Sequence, residues 1–185
     1  MTIPNLITIL RFLLVPLVVY ALLSGDWGWA FAGFVVAGVS DAVDGFVARH
    51  FDQLSTLGSY LDPVADKVLL VSVFIVLGYL GQLPLWLVIA VVSRDALIVC
   101  AVVLSSVMGN PVEMKPLMVS KVNTTVQIVL AAFVLGEQTF SADTGAMRIM
   151  LVAASGLLTI ASAAAYLVAW LRHMTTNGES ARSEG

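Results

Sequence analysis

The sequence predicts an all-α fold, a bundle of six membrane-spanning helices, on three observations. Of the 185 residues, 59% are hydrophobic and 11% are charged, whereas a soluble domain is typically about 45–50% apolar and about 25% charged. The mean hydropathy is +0.98. Apolar stretches close to the ~20 residues that cross a bilayer as a helix recur along nearly the whole chain. This composition excludes a soluble globular domain, a disordered chain and a basic nucleic-acid-binding protein.

The apolar stretches are separated by short breaks. They lie near residues 5–23, 30–50, 61–80, 84–108, 118–136 and 147–171. The first residues carry no basic segment and no cleavage site, so we interpret the first stretch as a retained span and not as a signal peptide. Glycine together with Asp, Asn or Pro predicts turns at 24–26, 81–84 and 109–111. We expect one transmembrane domain over 1–174 and a disordered polar tail over 175–185.

The positive charges are distributed unevenly between the breaks. The loops near 24–29, 79–84 and 136–146 contain no Lys or Arg, and basic residues gather at the alternate span ends. Cytoplasmic loops carry an excess of Lys and Arg, so this pattern places both termini and the loop between the second and third spans in the cytoplasm. We expect a multi-pass protein of a bacterial inner membrane.

Four aspartates stand near the cytoplasmic ends of the second and third spans. Asp41 and Asp44 are three residues apart, and Asp62 and Asp66 are four apart, so each pair shares one helix face. Carboxylates brought together repel one another unless they are protonated or bound to metal, and hard oxygen ligands suit Mg²⁺, Mn²⁺ or Ca²⁺. Two divalent ions held in this way serve displacements at phosphorus. An ion or small-solute pathway and a solvated loop are the alternatives.

The spacing of these aspartates belongs to a longer pattern. Residues 41–66 read Asp41-x2-Asp44-Gly45-x2-Ala48-Arg49-x8-Gly58-x3-Asp62-x3-Asp66. This pattern resembles the signature of the CDP-alcohol phosphatidyltransferases, and all eight fixed positions are filled. The six-span layout also resembles that family, so the resemblance extends over the chain apart from its tail.

The resemblance implies an activity and a set of roles. CDP-diacylglycerol would be the donor, and CMP would leave as an acceptor hydroxyl attacks the lipid-bearing phosphorus, with Asp66 as the general base. Two divalent cations, Mg²⁺ or Mn²⁺, would be bound by Asp41, Asp44, Asp62 and Asp66. The residues expected to bind the CDP moiety are Gly45, Ala48, Arg49, Gly58, Asn5 and Thr8.

Residues outside the signature bear on the acceptor. Ile3-Pro4-Asn5-x2-Thr8-x2-Arg11, Ser93-Arg94-Asp95, Lys115-Pro116 and the run from Ser120 to Thr124 together resemble the cardiolipin synthases of this family, which use phosphatidylglycerol. Phosphatidylglycerophosphate synthases, which use glycerol 3-phosphate, usually carry Arg-Glu in place of Arg94-Asp95 and a lysine in place of Asn123. We therefore expect phosphatidylglycerol as the acceptor, with glycerol 3-phosphate as the alternative.

An anionic acceptor requires fixed positive charge besides the metals. The candidate acceptor-binding residues are Arg94, Lys115, Lys121 and Arg11. Arg94 lies roughly 15 Å into the fourth span at 1.5 Å per residue, too deep for its side chain to reach water easily. Asp95 is expected to point elsewhere, because neighbouring residues do not share a helix face.

Three further expectations concern the spans themselves. Cys100 falls in an apolar run and is predicted to be a small buried side chain. Arg148, at the external end of the last span, is expected to anchor the helix at the membrane surface. A homodimer is expected, both from the resemblance and because the small side chains of Ala96, Cys100 and Ala101 would let helices approach.

Overall fold

The described part of the chain consists of six helices. The structure, a computed structural model, describes the backbone of residues 3–51, 56–107, 118–141 and 144–183, and side chains within 11–40, 67–100, 118–141 and 144–168. The helices are α1 (Ile3–Leu23), α2 (Trp27–Phe51), α3 (Thr56–Tyr79), α4 (Leu85–Val107), α5 (Met118–Phe140) and α6 (Gly145–Ser183). The predicted all-α class is confirmed for these residues.

Two of the three predicted turns lie in described segments, and both depend on glycine. Gly25 has φ +78° between α1 and α2, and Gly81 has φ +71° between α3 and α4. Residues with a side chain rarely adopt this left-handed conformation, so glycine is suited to end each helix and reverse the chain. The third predicted turn, 109–111, lies outside the described residues.

The six helices form a closed ring. α1 packs against α2 and α3, α2 against α5, α5 against α6, α6 against α4, and α4 against α3, while α3 and α5 also touch across the ring. Buried side chains recur at helical spacing, as at Val73, Phe74 and Leu77 of α3 and Leu130 and Val134 of α5. This arrangement brings α2, α3 and α5 together around one interior space.

Small residues let some of these helices approach closely. A Cβ added to Gly156 of α6 would lie 2.7 Å from Cη2 of Trp86 in α4, and one added to Gly33 of α2 would lie 2.8 Å from Cγ2 of Val18 in α1. Real Cβ atoms do not come so near their neighbours, so glycine at these positions fixes the distance between the paired helices.

Two of the described helices are long and apolar enough to cross a membrane by length and composition. They are α5, over Met118–Phe140, and the Gly145–Val168 part of α6. Shorter apolar segments occur at Arg11–Leu23, Trp27–Ser40 and Lys67–Tyr79. Within the described residues two helices therefore have the length and composition of a membrane span, and the full count of six stays a prediction.

The structure differs from the sequence-based expectations at two places. Cys100 was predicted to be buried, and this is wrong, because it is exposed on α4; an apolar run does not by itself show which of its side chains face the interior of the bundle. α6 continues to Ser183, through most of the segment expected to be a disordered tail. Glu179, Ala181 and Arg182 are good helix formers and extend a helix that is already nucleated.

Candidate active site

The signature residues lie on two helices. Asp41, Asp44, Gly45, Ala48 and Arg49 belong to α2, and Gly58, Asp62 and Asp66 belong to α3. The helical backbone at these positions fits the three- and four-residue spacings of the acidic pairs. Their side chains, and those of Asn5 and Thr8 in α1, lie outside the described side chains, so their convergence and their ligands stay predictions.

A cavity of about 430 Å³ lies beside the signature. Its apolar wall comes from α2, α3 and α5 and includes Phe34, Val39, Leu70 and Ile128. Among the described residues, the polar ones that line it are Lys67, Asp95, Thr124 and Gln127. Val39 is two residues before Asp41, and Lys67 directly follows Asp66, so the cavity begins within one helical turn of both acidic helix segments. An apolar wall with a few polar groups is typical of a site for an amphipathic ligand.

Arg94 is the centre of a buried polar group that joins four helices. Its Nε and Nη2 donate to Ser162 Oγ at 3.2 and 2.8 Å, and Nη2 also donates to Ser120 Oγ at 2.5 Å. Nη1 donates to Asp95 Oδ1 at 2.5 Å, and Lys67 Nζ lies 3.3 Å from the same oxygen. We refer to Lys67, Arg94, Asp95, Ser120 and Ser162 as the Arg94 cluster.

The Arg94–Asp95 contact corrects a sequence-based expectation. Asp95 was expected to point away from Arg94, but the two side chains form an ion pair. The rule that neighbours on a helix do not face each other holds for the Cα–Cβ directions. The arginine side chain is long enough to bring its guanidinium back towards Asp95. Arg94 is 3% exposed, as its predicted depth in the membrane requires.

The sequence reasoning missed a layer of neutral polar side chains beside the Arg94 cluster. Gln127 Nε2 donates to Thr159 Oγ1 at 3.2 Å, and Thr159 Oγ1 donates to Asn123 Oδ1 at 3.1 Å. All three are buried, together with Ser155. The signal was spacing: positions 120, 123 and 127 share one face of α5, and positions 155, 159 and 162 share one face of α6.

The predicted acceptor-binding cations have different surroundings. Arg11 is 1% exposed, Arg94 is held in the cluster just described, and Lys121 is exposed. Lys115 lies outside the described residues. Direct binding of an acceptor by Arg94 stays a prediction.

A second polar group joins helices at the opposite end of the bundle. Arg148 Nη1 lies 3.4 Å from Glu137 Oε2, and Nη2 donates to the backbone carbonyl and to Oε1 of Gln82. Gln138 donates to Gln82, and Thr144 donates to Glu137. We refer to Gln82, Glu137, Gln138, Thr144 and Arg148 as the distal latch. Arg148, expected as a surface anchor, therefore contacts protein side chains.

Comparison with known proteins agrees with the signature. The model of the CDP-alcohol phosphatidyltransferase family matches residues 1–175. The chain belongs to the CDP-alcohol phosphatidyltransferase family, as the resemblance predicted. Family membership also argues against the transporter alternative, because it accounts for the four aspartates as parts of a transferase signature.

Three similar curated proteins are named cardiolipin synthase (CMP-forming). A rat protein named cardiolipin synthase (CMP-forming) is 35% identical over 181 residues, which cover 89% of this chain and 60% of the rat protein. The human protein of that name is 33% identical over 181 residues with the same coverages. A Streptomyces coelicolor protein of that name is 36% identical over 108 residues, covering 55% of this chain and 50% of the relative. The chain thus spans about 60% of the length of the animal relatives.

Proposed function

We propose that the protein transfers the phosphatidyl group of CDP-diacylglycerol to phosphatidylglycerol, giving cardiolipin and CMP. The observation that carries this proposal is the position of the amphipathic cavity, within one helical turn of the signature aspartates on both α2 and α3. Both substrates have apolar chains and an anionic head, which is the chemistry that such a cavity accommodates. The names of the similar proteins support the same activity.

The reaction is a displacement at phosphorus. An acceptor hydroxyl oxygen bonds to the phosphorus that carries diacylglycerol, the bond from this phosphorus to the CMP oxygen breaks, and the hydroxyl proton passes to Asp66. Gly45, Ala48 and Gly58 would give room for the CDP moiety, and Arg49 would pair with its phosphate. Asn5 and Thr8 of α1 would complete the CDP site with neutral hydrogen bonds.

The residues proposed to bind the metal ions are Asp41, Asp44, Asp62 and Asp66. Four carboxylates on two helices offer hard oxygen ligands, which fit two Mg²⁺ or Mn²⁺ ions. Such ions, when bound, neutralise the diphosphate and make CMP a better leaving group. EDTA should therefore abolish CMP release, and added Mg²⁺ or Mn²⁺ should restore it. Turnover by EDTA-treated protein shown by elemental analysis to be free of metal would contradict the metal requirement.

The identity of the acceptor is a separate question from the transfer reaction itself. Arg94, Lys115, Lys121 and Arg11 are the cations that the sequence proposes for the acceptor phosphate. Phosphatidylglycerol brings its own apolar chains to the cavity wall, which favours it over glycerol 3-phosphate, the alternative acceptor. The deciding experiment incubates purified protein and CDP-diacylglycerol with either acceptor and measures CMP. We expect release with phosphatidylglycerol; release with glycerol 3-phosphate alone would assign the alternative activity.

The cellular setting is also proposed. We place six spans in a bacterial inner membrane with both termini and the active site on the cytoplasmic side, following the distribution of Lys and Arg. We also propose a homodimer, since Ala96 and Cys100 are exposed on α4 and present small side chains at which helices can approach. Native mass spectrometry of active protein should give twice the mass of one chain, and a monomeric mass would contradict the dimer.

A further inference from the structure

A single carboxylate oxygen of Asp95 pairs with two cations. Its Oδ1 lies 2.5 Å from Arg94 Nη1 and 3.3 Å from Lys67 Nζ. Two cations and one carboxylate leave the Arg94 cluster with a net charge of +1. The position of the surplus charge depends on which cation has donors left for a ligand.

Arg94 has little left to offer a ligand. Its Nε, Nη1 and Nη2 all donate to protein groups, namely Ser162, Asp95 and Ser120. Its guanidinium also lies over the ring of Tyr166, with Cζ 5.7 Å from the ring centre. A planar, five-donor group fixed from several helices is suited to holding its neighbours in place.

Lys67 has the opposite properties. Its side chain is 40% exposed and lines the cavity, as Asp95 also does, whereas Arg94 is not among the residues described as lining it. An ammonium group carries three N–H donors, so the contact with Asp95 leaves two for a ligand in the cavity. The surplus positive charge of the cluster is therefore presented to the cavity by Lys67.

We propose that Lys67 is the direct ligand of the acceptor's phosphodiester, and that Asp95, anchored by Arg94, is the positioning residue that fixes the Lys67 ammonium. This inference rests on the proposed function, because it takes the ligand to be a lipid phosphate. One surplus positive charge matches the single negative charge of a phosphodiester. The donor diphosphate carries more charge and has its own proposed partners in the aspartate-bound metals and Arg49.

The test is a set of Michaelis constants measured separately for phosphatidylglycerol and CDP-diacylglycerol. Lys67→Met removes the charge but keeps an apolar stem of similar length. It should raise the constant for phosphatidylglycerol by about tenfold or more, the effect of losing a charged hydrogen bond, and that for CDP-diacylglycerol by less than about threefold. Lys67→Arg should restore most of the loss. Arg182→Gln, which removes a positive charge near the end of α6, is the matched control.

Asp95→Asn tests the positioning role. It should raise the constant for phosphatidylglycerol by a smaller factor in the wild-type background and have no added effect on that constant in the Lys67→Met background, because Asp95 acts there through Lys67. Equal effects of Asp95→Asn on this constant in both backgrounds would overturn the positioning role. Thermal unfolding of each variant identifies any that fail to fold; if Asp95→Asn is one of them, Asp95→Glu takes its place and the same comparison decides.

Different results would refute the proposed function and the role of Lys67. If the unsubstituted protein releases no CMP with phosphatidylglycerol, the proposed function is refuted. If it does release CMP, but Lys67→Met leaves the constant for phosphatidylglycerol unchanged, only the role of Lys67 is refuted. If Lys67→Met raises the constants for donor and acceptor equally, the ammonium group does not act on the acceptor alone, and its assignment to the acceptor is overturned.

Discussion

The Arg94 cluster and the distal latch are built from the same parts and differ in charge balance. Each has an arginine that pairs with a carboxylate and reaches polar groups on other elements of the bundle. In the distal latch, Arg148 and Glu137 balance each other. In the Arg94 cluster, Asp95 is shared with Lys67, so one positive charge is left over, and it faces the cavity beside the signature.

This difference separates a structural role from a binding role. A balanced pair can hold helices together but has no net charge to attract a ligand. A cluster with one uncompensated cation at a cavity wall attracts an anion. Without an anion it is less stable than a balanced pair, because its two like charges repel. We therefore expect substitutions in the Arg94 cluster to affect turnover strongly, and matched substitutions in the distal latch to affect stability alone.

The largest expected effect compares two carboxylates changed to amides. Asp66→Asn, next to Lys67, should keep the fold and most metal binding but abolish turnover, because an amide cannot accept the proton of the acceptor hydroxyl. Glu137→Gln in the distal latch should leave turnover within about twofold, since no reacting group depends on it. CMP release measures both. An Asp66→Asn variant that retains more than about a tenth of the wild-type rate would refute the base assignment.

The next effect compares the two arginines. Arg94→Ala leaves Ser120 and Ser162 without their donor and Asp95 with Lys67 as its remaining partner. It should lower the free energy of unfolding by about 2–5 kcal/mol through unpaired buried groups and lost packing, with turnover reduced more than about tenfold. The side chain of Arg148 is 25% exposed. Arg148→Ala should therefore lower the free energy of unfolding by only about 1 kcal/mol, with turnover nearly unchanged. Thermal unfolding and CMP release are measured on the same preparations. Equal losses of turnover in the two variants would contradict the claim that the Arg94 cluster binds a ligand and the distal latch does not.

The smallest effect probes packing away from both polar groups. Gly156→Ala places a Cβ 2.7 Å from Trp86 Cη2 and should cost about 1–3 kcal/mol through overpacking. Gly28→Ala is the matched control, because its Cβ would meet only Thr139 Cγ2, at 3.9 Å, an ordinary contact. Both variants should turn over normally below their unfolding temperatures. Equal unfolding temperatures for the two would mean that α4 and α6 adjust at this crossing.

Much of the fold could be predicted because its signals are local. Apolar stretches mark the helices, and the glycines at 25 and 81 mark two helix ends, since each signal depends on residues close in sequence. The extension of α6 to Ser183 could not be read from hydropathy. The extension depends on the helix propensity of residues that follow a turn already helical. The polar composition of residues 175–185 predicted a disordered tail instead.

The site divides in the same way. The aspartate spacing is a local pattern and was sufficient to predict the family. The partners of Arg94 are 26 and 68 residues away in sequence, on α5 and α6, so no pattern within α4 could predict them. Asn123, Gln127 and Thr159 were missed because neutral polar residues are common in membrane helices and carry no charge to single them out.

The central claim is that the phosphatidyl group moves from CDP-diacylglycerol to phosphatidylglycerol. The most direct measurement supplies purified protein with CDP-diacylglycerol that has deuterated acyl chains, unlabelled phosphatidylglycerol and Mg²⁺, and identifies the lipid product by mass spectrometry. We predict cardiolipin with one deuterated and one unlabelled phosphatidyl half, formed in equal amount with CMP. Cardiolipin without deuterium, or deuterium found only in phosphatidylglycerophosphate once glycerol 3-phosphate is added, would contradict the claim.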